Sequence, residues 1–203
     1  WTEANNGLAN QYVFALAVSG TNIFAGTWVE GVFLSTNYGN TWNEVGLMNR
    51  EVRSFAVSGT NIFAGTYSGG AFLSTNNGTN WTAINNGLTS QNVYSLAVSG
   101  TNIFAGTAGG IYISTNDGNN WTAVNNGLTN YSIGALAVSG TNIFAGSSGG
   151  IYLSTNNGNS WTSIGMTSYI ICDLEVSGTN IFAGTSGGVF LSTNNGNSWT
   201  SIG

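Results

Sequence analysis

The 203 residues are 41% hydrophobic but only 4% charged, with two Arg, no Lys, no His and a net charge of -5. An ordinary soluble domain carries about 25% charged residues, so solvation here falls to Asn, Thr, Ser and Gly. The balance excludes a basic surface for phosphates, and with it nucleic acid as a partner; no run reaches the ~20 apolar residues that cross a bilayer.

A chain of this length buries roughly 70% of its unfolded surface. The one cysteine, Cys172, rules out an internal disulfide, and its apolar run, TSYIICDL, predicts a buried, inert thiol. No signal peptide is visible, and a chain opening on Trp1 is expected to have been processed, excised or incompletely determined.

In chain order, Trp1-Thr2-Glu3 reads as a Trp-led strand with a linker through residue 8. The nine residues VSGTNIFAG then recur unchanged at 18–26, 57–65, 98–106, 138–146 and 176–184. Their spacing sets a unit of about forty residues, with boundaries near 9–46, 47–87, 88–127, 128–165 and 166–203. The third copy predicts four strands, at 93–100, 102–107, 110–116 and 121–125, each rich in β-branched and aromatic residues and bounded by Gly and Asn turns. There is no proline and no helix-length amphipathic segment. Four strands per forty residues predict an all-β chain, a β-propeller of four-stranded antiparallel blades. Five blades closing one ring is the preferred reading; a segment of a longer propeller array is the alternative. Trp1-Thr2-Glu3 is a sixth Trp-led fourth strand, surplus to five blades.

A second phrase, S-T-N-x-G-x-x-W, closes each unit. It stands as Ser35, Asn37, Gly39 and Trp42; Ser74, Asn76, Gly78 and Trp81; Ser114, Asn116, Gly118 and Trp121; Ser154, Asn156, Gly158 and Trp161; and Ser192, Asn194, Gly196 and Trp199. The phrase resembles the Asp-box, or BNR repeat, of sialidase-like, sortilin-like and photosystem-II stability factor-like propellers, with Asn in place of Asp. In that family the motif is structural. The residues themselves predict a stiff hairpin in which Asn accepts backbone N–H groups, Gly takes a positive φ and Trp packs beneath.

The loop between first and second strands reads SGTN in every unit, so with the Asn-box one rim is nearly invariant. By strand parity the variable loops share the other rim. That rim collects Tyr12, Trp28, Glu30, Arg50, Glu51, Arg53, Tyr67, Gln91, Asn92, Tyr131, Tyr169 and Asp173 as candidate ligand-binding residues, with Gln11, Asn130 and Glu175 beside them. Aromatic faces interleaved with amides and carboxylates suit a sugar; loop drift between copies is the competing account. Glu51 and Arg53 project to one side, as a surface ion pair or as a fork for a ligand carboxylate or diol. Asp173 and Glu175 replace the Ala or Ser of other units on the strand expected to line the central channel.

Without His, Lys or a polar Cys, most general bases and nucleophiles are missing. The arginine triad that a sialidase resemblance implies cannot be built from Arg50 and Arg53. No enzyme is expected, though Glu30, Glu51, Asp173 and Glu175 leave a two-carboxylate glycosidase conceivable. The Asn-rich turns lack the carboxylates Ca²⁺ prefers, so neither metal nor cofactor is expected. The expected function is lectin-like carbohydrate binding by a secreted or cell-surface module. The alternatives are a protein-docking or spacer propeller of an adhesin or assembly factor, and a designed or recently duplicated scaffold. Sequons at Asn77, Asn80, Asn120 and Asn130 matter only where the source glycosylates secreted proteins.

Overall fold

A computed structural model describes residues 2–8 and 12–203; Trp1 and Gln11 lie outside the described residues. Five sheets form, each a four-stranded antiparallel meander in chain order. The first holds β1 (Val13–Ser19), β2 (Asn22–Thr27), β3 (Val32–Ser35) and β4 (Asn43–Gly46). The second holds β5 (Glu51–Ser58), β6 (Asn61–Tyr67), β7 (Gly70–Ser74) and β8 (Thr82–Ala83). The third holds β9 (Val93–Ser99), β10 (Asn102–Thr107), β11 (Gly110–Ser114) and β12 (Thr122–Ala123). The fourth holds β13 (Ile133–Ser139), β14 (Asn142–Ser147), β15 (Gly150–Ser154) and β16 (Thr162–Ser163). The fifth holds β17 (Ile171–Ser177), β18 (Asn180–Thr185), β19 (Gly188–Ser192) and β20 (Thr200–Ser201). Inner strands follow one another, β1 against β5, β5 against β9, β9 against β13 and β13 against β17. The fold is a β-propeller of five blades.

In the third copy the first three strands match expectation to within two residues, but the fourth is far shorter than 121–125. One ladder bond continues past it, from the Val124 N–H to the Ile111 carbonyl. Thereafter a side chain takes over, as Asn125 Oδ1 accepts the Ile111 N–H at 2.7 Å. Asn85 does the same for the Ala71 N–H in the second blade.

The box forms as predicted. Ser114 Oγ accepts the Gly118 N–H at 2.9 Å and donates to Asn116 Oδ1, which also accepts the Asn120 N–H. Gly118 holds φ at 81°. The Trp does more than pack beneath the turn, because it reaches the preceding blade. Trp121 Nε1 donates to the Ile84 carbonyl and Trp161 Nε1 to that of Val124, each at 2.7 Å. Both follow an Asn-Asn-Gly-Leu linker, at 85–88 and 125–128. After the different linkers at 46–49 and 165–168, the buried indole N–H groups of Trp81 and Trp199 find no protein acceptor among the described residues.

The core lies between blades. Ala135 and Ala137 of β13 pack against Leu174 and Val176 of β17, and Ala56 of β5 against Leu96 and Val98 of β9. Each inner strand thus presents small residues to the next blade and Leu or Phe with Val to the one before. The seam between fifth and first blades breaks this rule. The backward face of β1 is open, with Leu16 66% and Val18 64% exposed, whereas Leu174 is 3% exposed. The forward face of the fifth blade is open too: Val189 is 41% exposed where its counterpart Ile151 is fully buried. A Cβ on Gly146 would strike Ile171 of the next blade at 2.4 Å, but one on Gly184 meets nothing nearer than Asp173 of its own blade at 3.7 Å. Five blades are present as expected, while the preferred ring-closing contact is not packed as the other four are. The forward positions of β17 explain this, being Asp173 and Glu175 rather than Ala. Closure would set two carboxylates against Leu16 and Val18, a desolvation penalty of several kcal/mol per ion.

Candidate functional site

Each inner strand carries a β-bulge at the same place. In β1 the ladder pairs Val13 with Thr27 and then Ala15 with Gly26, leaving Phe14 as the extra residue. The same skip isolates Arg53 in β5, Tyr94 in β9, Gly134 in β13 and Cys172 in β17. A bulge bends its strand and re-aims one side chain. All five bulge residues line one central cavity of about 630 Å³, with Ser54, Ser95, Asp173 and Glu175 among the polar groups on its walls. Cys172 is therefore exposed, correcting the buried thiol expected from its apolar run. Phe14 also turns outward to this cavity rather than into a core.

Arg53 is the cationic centre of the cavity wall. It is ion-paired with Glu51, whose side chain is 14% exposed, and its guanidinium stands 4.3 Å from the centroid of the Phe14 ring in the neighbouring blade. Ion pair and cation–π contact together hold the head in place and leave part of it open to the cavity. Arg50 does not join them, lying instead over the Phe72 ring at 5.7 Å. Arg50, a candidate on the same rim, is thus separate from the Glu51–Arg53 pair.

The variable loops meet on one rim, as strand parity requires. The Trp28 N–H donates to the Tyr12 carbonyl, the Gly70 N–H to that of Gln91 and the Ser186 N–H to that of Ile170. Asn92 Oδ1 accepts the Ser68 N–H at 2.9 Å, and Asn130 Nδ2 donates to Ser148 Oγ. Both amides are used as loop clamps. Trp28 and Tyr12 are exposed and meet edge to face at 5.6 Å, and exposed Tyr67 stacks on Tyr94 at 6.5 Å, joining the rim to the bulge ring. Tyr131 is exposed on the fourth blade.

Two candidates are placed differently. Tyr169 is half-buried, its ring centroid 5.0 Å from that of Phe190 against the fifth blade's core. Glu30 sits in the turn after β2, its N–H bonded to Thr27 Oγ1 and one carboxylate oxygen buried, away from the cavity-lining residues. Phe14, Tyr94 and Cys172 were not among the ligand-binding candidates read from sequence. The available signal was that their position holds Phe, Arg, Tyr, Gly and Cys directly after a residue that is always Val or Ile.

A family described as the DUF6242 beta propeller domain matches residues 70–167, slightly under half of the chain. Among curated proteins nothing matches. Among solved structures, the extracellular domain of BT4673 from B. thetaiotaomicron is similar at 15% identity and TM-score 0.82, over 99% of this chain and 29% of that one. An ancestral GH74 enzyme is similar at 23% identity and TM-score 0.77, over 97% of this chain and 34% of that one. YCF48 bound to D1 peptide is similar at 15% identity and TM-score 0.72, over 97% of this chain and 70% of that one. This chain spans about a third or less of the first two, and likeness at these identities carries the fold alone.

Proposed function

We propose that the chain is a non-catalytic, lectin-like binding module that takes a carbohydrate at the variable rim and the mouth of the central cavity. The observation behind this is the convergence of five unlike bulge residues on one cavity, with exposed aromatic rings of Tyr12, Trp28 and Tyr67 on the variable loops and Tyr67 stacked on the bulge residue Tyr94. Aromatic faces offer stacking surfaces for sugar CH groups, while Arg53, Asp173 and the serines offer donors and acceptors for hydroxyls. Glu51 is already committed to Arg53, which leaves it poorly placed as a glycosidase carboxylate. A secreted or surface-displayed setting is in keeping with the similarity to an extracellular domain.

A glycan array followed by calorimetry tests the reading. Trp28→Ala and Tyr67→Ala should each weaken binding of any glycan hit by about five- to thirtyfold, as loss of an aromatic platform worth about 1–2 kcal/mol implies. Silence across the array would end it. A second reading, docking of a protein segment on the same rim, is favoured by the adjoining exposed apolar pair Trp28 and Val29 and by the likeness to a propeller bound to a peptide.

A further inference from the structure

Residues 2–8 read Thr-Glu-Ala-Asn-Asn-Gly-Leu, against Thr-Ala-Ile-Asn-Asn-Gly-Leu at 82–88 and Thr-Ala-Val-Asn-Asn-Gly-Leu at 122–128. Their backbone contacts are also the same. Trp42 Nε1 donates to the Ala4 carbonyl at 2.7 Å, as Trp121 does to Ile84 and Trp161 to Val124. The Trp42 N–H donates to the Asn6 carbonyl, as those of Trp121 and Trp161 do to Asn86 and Asn126. Gly7 has φ of 95°, and a Cβ there would strike the Trp42 carbonyl at 2.1 Å; Gly87 shows 91° and 2.1 Å against Trp121. Residues 2–8 therefore lie on the first blade as the fourth strand of a preceding blade would. Yet they belong to no sheet, and Asn5 is exposed where Asn85 and Asn125 cap the third strands of their own blades.

We infer that the open face of β1 is an interaction surface for one more unit of this same repeat, a three-stranded sheet that takes Thr2–Glu3 as its fourth strand. The four internal interfaces say what covers such a face: Ala-x-Ala or Ser-x-Ala of one blade against Leu-x-Val or Phe-x-Val of the next, the arrangement Leu16 and Val18 of β1 await. The occupant's forward positions must accordingly be small and uncharged. Asp173 and Glu175 exclude the fifth blade of this chain, or of a second copy, from that role.

The test places a copy of residues 128–160, which carries Ala135 and Ala137, directly before Trp1, so that Trp1 follows it in the phase in which Trp161 follows residue 160. Hydrogen exchange and thermal unfolding are then read on the original and extended proteins. Amides of Thr2 and Glu3 should gain at least tenfold protection in the extended protein, and its midpoint should rise by about 5 °C or more, given that each kcal/mol moves a domain of this size by 2–4 °C. The double variant Leu16→Asp, Val18→Asp should shift the original protein by less than about 2 °C and abolish the gain in the extended one. The inference is overturned if the added unit melts separately with Thr2 and Glu3 unprotected, or if the double variant affects both proteins alike. It is equally overturned if light scattering finds the original protein dimeric and Leu16→Asp makes it monomeric, since the face then belongs to a second copy.

Discussion

The phrase Phe-Ala-Gly ends the invariant nine residues in every blade, so Gly106→Ala and Gly184→Ala are the same substitution in the same local sequence. Their tertiary surroundings differ. A Cβ on Gly106 would lie 2.3 Å from Ser95 Oγ, 2.8 Å from Ile133 Cγ2 and 2.9 Å from the Ile133 carbonyl oxygen. The serine can rotate, but the Ile133 backbone belongs to β13 of the next blade and cannot give without moving that strand. Overpacking of this kind costs typically ~1–3 kcal/mol, which at 2–4 °C per kcal/mol lowers the midpoint by about 2–12 °C. On Gly184 the nearest atom is Asp173 Cβ at 3.7 Å, an ordinary contact. There the only sizeable change is reduced freedom of the unfolded chain, a gain of about 0.4–1 kcal/mol. Urea and thermal unfolding of the two variants beside the parent measure the difference. Equal destabilisation by both would refute the reasoning, because it would mean the forward face of the fifth blade is covered.

Trp161→Phe should destabilise by about 1 kcal/mol more than Trp81→Phe, because only the first removes an indole bond to the preceding blade; paired urea titrations resolve this. Ser114→Ala leaves the Gly118 N–H without its acceptor and should cost about 1–3 kcal/mol, whereas Asn116→Asp keeps every accepting bond of the turn and should stay within about 0.5 kcal/mol. Cys172 should react with a maleimide in the native protein without denaturant, as mass spectrometry would record. If the central cavity is the binding site, that adduct should also block any glycan that Trp28→Ala weakens.

Much of the blade was legible because its signals are local. The turn glycines, the box serines and asparagines and the alternation of Leu and Val with Ala act within a few residues, so the third copy alone predicts its first three strands to within two residues. The fourth strand was overdrawn because the residues at its two ends are used elsewhere: Trp121 turns to the preceding blade while Asn125 replaces a ladder bond with its side chain. For the site, parity put the variable loops on one rim, yet of the five bulge residues only Arg53 was among the candidates. A bulge inverts the parity count at Phe14, Arg53, Tyr94, Gly134 and Cys172, and nothing in period-two alternation signals where a ladder skips.

The amino-acid sequence by itself determined the repeat, the four-stranded unit, the box hairpin and the absence of a cationic surface, all consequences of short-range bonding and composition. Only the tertiary structure decided that five re-aimed side chains share one cavity and that the fifth and first blades do not seal. Both depend on which residues of different units face each other across space. The acidic pair Asp173 and Glu175, read in sequence as a channel feature, becomes in three dimensions the reason the last blade refuses the first, because a carboxylate cannot be buried on leucine and valine without a partner.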